Sequence, residues 1–180
     1  VGAYGRTGRG TEEHCGARAD VLVGTFGKAF GVNGGFIAGS PELIEAVRQK
    51  ADTYIYTNPL GAADCAAAAK AVEIADGPEG AARLAALADR TARVRQGLAD
   101  LGSESIPGPH PVVPLLVRDT ARVRWMVRAL FERGVLAVGL AYPVVPRGEE
   151  TIRFQINAAH TRADIEQVLA ALRDLRPPDA

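Results

Sequence analysis

The chain has 180 residues, with Lys+Arg and Asp+Glu both at 21, so its formal charge is zero. No basic surplus supports a nucleic-acid partner, and no apolar run approaches the roughly 18 residues of a transmembrane helix. The cysteines Cys15 and Cys65 are too few and too far apart for a disulfide framework or a zinc site, and fit reduced cytosolic thiols.

Residues 1–18 read as a glycine-rich loop with no element before it, as in a chain entered midway through a longer protein. Residues 20–25 read as a short buried strand, and Phe36-Ile-Ala38 as a second strand beyond the turn Gly31–Gly35. Ser40 caps a helix that opens with Pro41, has Glu42 and Glu45 early and Arg48 and Lys50 late, as the helix dipole prefers. Residues 53–60 read as a polar-aromatic loop, and Ala62–Ala75 as an alanine-dense, buried helix.

Gly77-Pro78 breaks that helix. From Arg83 to Leu101, Leu84, Leu87, Thr91, Val94, Leu98 and Leu101 recur at spacings of three and four, the face of a long amphipathic helix. Ser103–Pro111 is a loop, and Val112–Val117 a strand whose Pro114 argues for an edge or a bulge. Residues 120–132 form a helix buried through Val123, Val127, Leu130 and Phe131, with Trp125 and Met126 as packing residues. Val135–Val138 is a strand, and Gly139–Gly148 a loop. Thr151–Ile156 alternates, with Ile152, Phe154 and Ile156 on one face and Arg153 and Gln155 on the other. Thr161-Arg-Ala-Asp164 is a capping box for a last helix with the apolar face Ile165, Val168, Leu169 and Leu172, ended by Pro177-Pro178. Residues 80–180 thus read as an α+β domain with its own core, and residues 1–79 as the back part of a larger α/β domain.

Lys28 is the chemically pointed residue. An apolar strand lies behind it, and Gly27 and Ala29 flank it. Burial there disfavours the ammonium form and makes the amine a usable nucleophile for a carbonyl cofactor; the same residues also fit a surface lysine in a strand-to-loop turn. Gly24–Lys28 is too short for a P-loop, and Ala29 stands where a magnesium-binding hydroxyl belongs. Arg153, on the polar face of an apolar strand, can bind a carboxylate in two parallel bonds or be a plain exposed arginine. Thr57 and Asn58 are short polar groups that can serve a ligand or cap a loop. His160 reads as structural, His14 as a residue near a substrate entrance or a bystander, and His110 carries no signal.

Taken in order, Gly5-Arg-Thr-Gly-Arg-Gly-Thr-Glu-Glu-His14, Gly24-Thr-Phe-Gly-Lys-Ala29, Thr57-Asn58, Tyr142-Pro-Val-Val-Pro146, Ile152-Arg-Phe-Gln-Ile156 and Ala159-His-Thr161 resemble the α-oxoamine synthases, over essentially the whole chain. These are fold-type-I pyridoxal-phosphate enzymes that join an amino acid to an acyl-CoA. The resemblance implies a partial α/β fold of that type: the end of the large cofactor domain followed by the small C-terminal domain. It implies that Lys28 carries pyridoxal 5′-phosphate covalently and shuttles the Cα proton, and that Thr25 contacts the phosphate. It implies that Thr57 and Asn58 reach the phosphate of a neighbouring subunit in a homodimer, and that Arg153 binds the substrate carboxylate. The family's Asp-x-x-His motif, expected just before Val1, is not in these residues.

The Tyr142–Pro146 loop followed by Ile152-Arg153 looks most like the glycine C-acetyltransferase branch, which implies glycine and acetyl-CoA as substrates in a cytoplasmic enzyme. The alternative within the family is 8-amino-7-oxononanoate synthase, which joins alanine to a pimeloyl thioester with decarboxylation. A further alternative is a truncated fragment that is inactive by itself. Neither a metal nor a membrane partner is expected.

Overall fold

In the computed structural model, which describes residues 1–175, the chain divides into the units Val1–Leu84 and Ala85–Ala180. The first unit begins with glycine-rich turns and a short helix, α1 (Thr11–Cys15), inside the stretch expected to be all loop. Two strands follow, β1 (Leu22–Thr25) and β2 (Gly35–Ala38), paired antiparallel from Leu22 opposite Ala38 to Thr25 opposite Gly35. β1 is not the buried strand expected: Val23 is 72% exposed, and its cross-strand partner Ile37 is exposed beside it. An apolar run shows that a strand is suited to burial, but burial itself needs an element laid over that face.

Helix α2 (Pro41–Lys50) starts as expected, with the Ser40 hydroxyl accepting from the Leu43 amide at 3.2 Å and proline in the first turn. A one-turn helix, α3 (Asp52–Tyr56), occupies the stretch expected as loop; Asp52 sits in its first turn, where the helix dipole favours an acid. One turn is too short to print a 3.6-residue periodicity. Helix α4 (Ala62–Asp76) is present, but Ala68 is its single buried residue, against the expectation of a buried helix. Alanine is the strongest helix former whether or not a side chain is covered, so its density reported helicity and not burial.

Helix α5 (Pro78–Asp100) begins at the proline itself, five residues before the expected start, since proline is tolerated in the first turn. Its stripe Leu87, Thr91, Val94 and Leu98 is buried, and the Thr91 hydroxyl donates to the Leu87 carbonyl at 2.7 Å. In the second unit β3 (Val112–Leu116), β4 (Val138–Leu140) and β5 (Thr151–Gln155) form an antiparallel sheet in the order β3-β5-β4. Pro114 lies on an edge strand, as its missing N–H requires. Helices α6 (Thr120–Glu132) and α7 (Arg162–Asp174) complete the unit.

One core joins Val94 and Leu98, Val113 and Leu115, Val123 and Leu130, Ile152 and Phe154, and Ile165 and Leu172. The capping box forms: the Thr161 hydroxyl accepts from the Asp164 amide at 3.2 Å, and the Asp164 carboxylate from the Thr161 amide at 2.6 Å. Three expectations fail here. Phe131 is 67% exposed, because it follows the fully buried Leu130 by about 100° around the helix. Trp125 is half exposed for the same rotational reason, although its neighbour Met126 is buried. β4 covers Val138–Leu140 and not the expected Val135–Val138, so it starts three residues later and runs through Gly139: a Cβ there would lie 2.6 Å from Val123 Cγ1, so only glycine lets this strand reach α6. Pro177-Pro178, expected to end the last helix, lies outside the described residues.

These burials predict unequal costs for two large apolar side chains of one domain. Leu98→Ala, at a fully buried position, is expected to lower unfolding free energy by about 2–5 kcal/mol. Phe131→Ala is expected to change it by about 0.5 kcal/mol or less. Denaturant midpoints of the two variants measure the difference, and equal losses would refute the assigned faces.

Candidate functional site

The turn that follows β1 is closed by its own backbone. The Phe26 amide donates to the Gly34 carbonyl at 2.9 Å, the Val32 amide to the Phe26 carbonyl at 3.0 Å, and the Gly31 amide to the Lys28 carbonyl at 3.1 Å. Thr25 ends β1, and its hydroxyl accepts from the Gly27 amide at 3.2 Å and donates to the Gly34 carbonyl at 3.3 Å. The Phe26 ring packs on Phe36 and Phe30, with centroids 5.4 and 5.8 Å away. A Cβ on Gly35 would lie 2.5 Å from the Gly24 carbonyl oxygen, so β2, the strand leaving the turn, needs glycine at that point. The platform is therefore narrow, hydrogen-bonded and stiff.

Lys28 stands on this platform. Among the described residues nothing covers it: it is exposed, not buried as expected, and so are Gly27 and Ala29 on either side. Its amine makes no hydrogen bond or ion pair with any described residue. Thr57 follows α3 in an extended conformation, and Asn58 comes next; both are exposed, and neither side chain caps a helix. The chain after them comes back to the lysine turn, where Leu60 packs so closely on Gly34 that an added Cβ would fall 2.6 Å from Leu60 Cδ1. Within the first unit, the segment that carries Thr57 and Asn58 is thus joined to the Thr25–Lys28 turn through Leu60 and Gly34.

The glycine-rich start of the chain packs on the same turn, with Gly2 against Ala29 and Phe30. Its organiser is Glu13, which the sequence reading passed over. The Glu13 carboxylate accepts from the Thr7 amide at 2.9 and 3.0 Å, the Thr7 hydroxyl at 2.9 Å and the Arg9 amide at 3.2 Å. The Thr7 amide foremost, then the Thr7 hydroxyl and the Arg9 amide, hold its pKa below the ordinary carboxylate value. An acid pair beside a glycine run is able to gather free amides: Glu13 takes those of Thr7 and Arg9, and Glu12 that of Ala19 at 2.6 Å, so the pair Glu12-Glu13 is a signal present in the sequence. His14 stacks on Tyr4, with centroids 4.5 Å apart.

Arg153 lies in the second unit, at the middle of β5, opposite Pro114 on one side and Val138 on the other. Its neighbours Ile152 and Phe154 are buried in the core, so the pleat turns Arg153 to the other face. It is half-buried, and its Nε is shielded from solvent without a hydrogen-bond partner. A buried donor without an acceptor is costly, and a carboxylate is the acceptor its geometry suits best. One strand end away, His160 is structural: its Nδ1 accepts from the Asn157 amide at 3.1 Å, and its carbonyl accepts from Arg90. His110 plays the same kind of part, its Nδ1 accepting from the Val112 amide at 3.1 Å. Arg147 lies over the Tyr142 ring, 4.9 Å from its centroid.

Residues 2–172 match the class I and II aminotransferase family. The chain is 42% identical over 179 residues to an 8-amino-7-oxononanoate synthase of Ectopseudomonas mendocina (strain ymp), covering 98% of this chain and 46% of that protein. The chain belongs to this family, in its α-oxoamine synthase group. A second 8-amino-7-oxononanoate synthase, from Thermosipho melanesiensis, is 37% identical over 170 residues, covering 93% of this chain and 43% of the relative. The solved structure of Sphingomonas wittichii serine palmitoyltransferase superposes with a TM-score of 0.88 at 28% identity, over 97% of this chain and 44% of that one. The fold is therefore a partial fold-type-I transferase, and the chain spans less than half the length of these relatives. Pyridoxal 5′-phosphate is the cofactor of the family. Among the described residues no helix is long and apolar enough to cross a membrane, and no group of three His, Cys, Asp or Glu could hold a metal.

Glu13 gives the site a pH dependence whose sign is fixed. Because its folded pKa lies below the ordinary value of about 4.3, its bonds hold above that value and are lost as pH falls through the lowered one. The amide resonances of Thr7 and Arg9 are expected to titrate together in that acid range, and Glu13→Gln is expected to abolish the transition.

Proposed function

We propose that the chain is the C-terminal part of a pyridoxal-phosphate-dependent acyltransferase that joins alanine to a pimeloyl thioester, with loss of CO2, to give 8-amino-7-oxononanoate. The observation that carries the substrate choice is the name shared by the two relatives, matched over 93% and 98% of this chain. It reverses the order suggested by the Tyr142–Pro146 loop alone. That loop remains the specific feature in favour of a second reading, glycine with acetyl-CoA. In either reading, residues 1–79 belong to the large cofactor domain and residues 80–180 form the small domain.

The residues present fit the cofactor. Lys28 offers an unengaged amine between two small residues, on a turn with little freedom to move. It would hold the cofactor covalently through Nζ. When bound, the pyridoxal ring supplies an electron sink for negative charge at the substrate Cα. Lys28 Nζ then holds and moves the proton at that carbon. Thr25 serves the phosphate once its hydroxyl proton leaves the Gly34 carbonyl, and that bond is long at 3.3 Å. Thr57 and Asn58 present uncommitted polar groups to the phosphate of a neighbouring subunit, so the working form is a homodimer with shared sites.

Arg153 binds the amino-acid carboxylate with parallel N–H donors and so orients the bonds at Cα. The unpartnered Nε supports this role. The acyl thioester is the second substrate: its carbonyl carbon accepts the new bond from Cα as its C–S bond breaks and the thiol leaves, and the Cα–carboxylate bond then breaks to release CO2. Cys15 and Cys65 are both free and exposed, in keeping with a cytoplasmic enzyme.

The decisive assay compares the full-length protein on alanine plus pimeloyl-CoA with glycine plus acetyl-CoA. A higher kcat/KM for the first pair is expected, and a preference for the second would replace this reading with the glycine one. Lys28→Ala is expected to lower kcat by at least about a thousandfold while leaving the fold intact by circular dichroism. Retention of activity would remove Lys28 from the chemistry.

A further inference from the structure

Glu150 is a carboxylic acid only 2% exposed, at the entrance to β5. Its Oε1 accepts from the Thr120 hydroxyl and its Oε2 from the Gly148 amide, both at 2.8 Å. Its carbonyl accepts from the amides of Val117 and Arg118, both at 2.9 Å. One residue therefore fastens three segments: the 117–120 crossover from β3 into α6, the turn that closes the 141–149 loop, and the first residue pairs of β5. Arg118 sits at φ 61°, a conformation that side-chain-bearing residues rarely adopt, and its amide is one of the four donors.

The charges around the carboxylate are accounted for. Arg147 favours its ionised form, while the guanidinium of Arg118 is engaged with Glu104. Its own backbone amide foremost, then Thr120, Gly148 and Arg147, hold its pKa below the ordinary carboxylate range against the opposing effect of burial. A buried charge satisfied in this way resists displacement, because moving it would strand the carboxylate and its donors together.

Arg153 lies three residues further along β5, about 10 Å in an extended strand. Glu150 does not reach it and can act on it only through the placement of the strand. We propose that Glu150 is a positioning residue: it locks the start of β5 to the 117–120 crossover and the 141–149 loop, and so sets where Arg153 presents its guanidinium to the substrate carboxylate. The inference rests on the carboxylate role given to Arg153 above.

The test uses the full-length enzyme with Glu150→Ala, Glu150→Gln, Arg153→Lys and the Glu150→Ala/Arg153→Lys pair. KM is measured for each substrate with the other saturating. Glu150→Ala is expected to raise the amino-acid KM about tenfold and leave the acyl-thioester KM within about twofold. Glu150→Gln keeps one acceptor and is expected to recover part of the loss. The double variant is expected to match Arg153→Lys alone, since a residue acting through another gives no additive effect. In amide exchange, Arg118 and Gly148 are expected to lose protection in Glu150→Ala. Equal rises in both KM values, unchanged KM values or additive losses would overturn the proposal. Should Glu150→Ala not fold, Glu150→Gln decides alone, by whether the amino-acid KM rises selectively. If Arg153→Lys leaves the amino-acid KM unchanged, the carboxylate role falls and the proposal with it. If Arg153→Lys raises that KM and the Glu150 variants do not, only the positioning role falls.

Discussion

The alternation of β5 is the constraint from which the second unit takes its form. The strand is hydrogen-bonded along both edges, and its two central apolar residues are almost fully buried. A slip of one residue would drive Arg153 into the core and turn Ile152 and Phe154 outward. Burying each apolar side chain is worth about 1.5–3 kcal/mol, and an unpaired guanidinium in the core would add a further penalty, so register is strongly determined. Hydrophobic packing of Ile152 and Phe154 thus fixes which face of the sheet carries the Arg153 guanidinium.

The first unit reaches a comparable result by other means. Its lysine turn is held by backbone bonds, the Thr25 hydroxyl and a small aromatic cluster, with little apolar burial beneath it. The glycine-rich start is gathered by one carboxylate. Polar bonds that remain near solvent contribute modestly to stability, about 0.5–1.5 kcal/mol each, but they are directional. Directionality fixes the backbone from which Lys28 projects.

Features governed by local rules were legible in the sequence. The Ser40 cap, the Thr161–Asp164 box, the edge placement of Pro114 and the alternation around Arg153 each follow from a few adjacent residues. Features governed by what lies across space were not. The exposure of β1, of Lys28 and of the alanine helix depends on which neighbours cover them, and composition is silent on that. Phe131 and Trp125 lie outside the core because helical spacing allows a broad stripe, while the core occupies a narrower one. Glu150 carries no local signal, because its side-chain partners stand two and thirty residues away, in segments that only the fold unites. One short proline-rich loop, Tyr142–Pro146, is a narrow basis for ranking substrates, and the relatives matched over nearly the whole chain favour the other order.

The three-stranded sheet also has consequences for how the molecule meets other copies of itself. Any open sheet offers unpaired backbone groups to a passing strand, and long, regular edges invite aggregation. Here one edge strand carries Pro114, which removes a donor, and part of its outer side is bridged by the chain around Ser105. The opposite edge, β4, is three residues long with a glycine at its centre. Neither edge offers a regular row of donors and acceptors on which a foreign strand could extend. The proline and the glycine that shape the sheet therefore also keep it from growing.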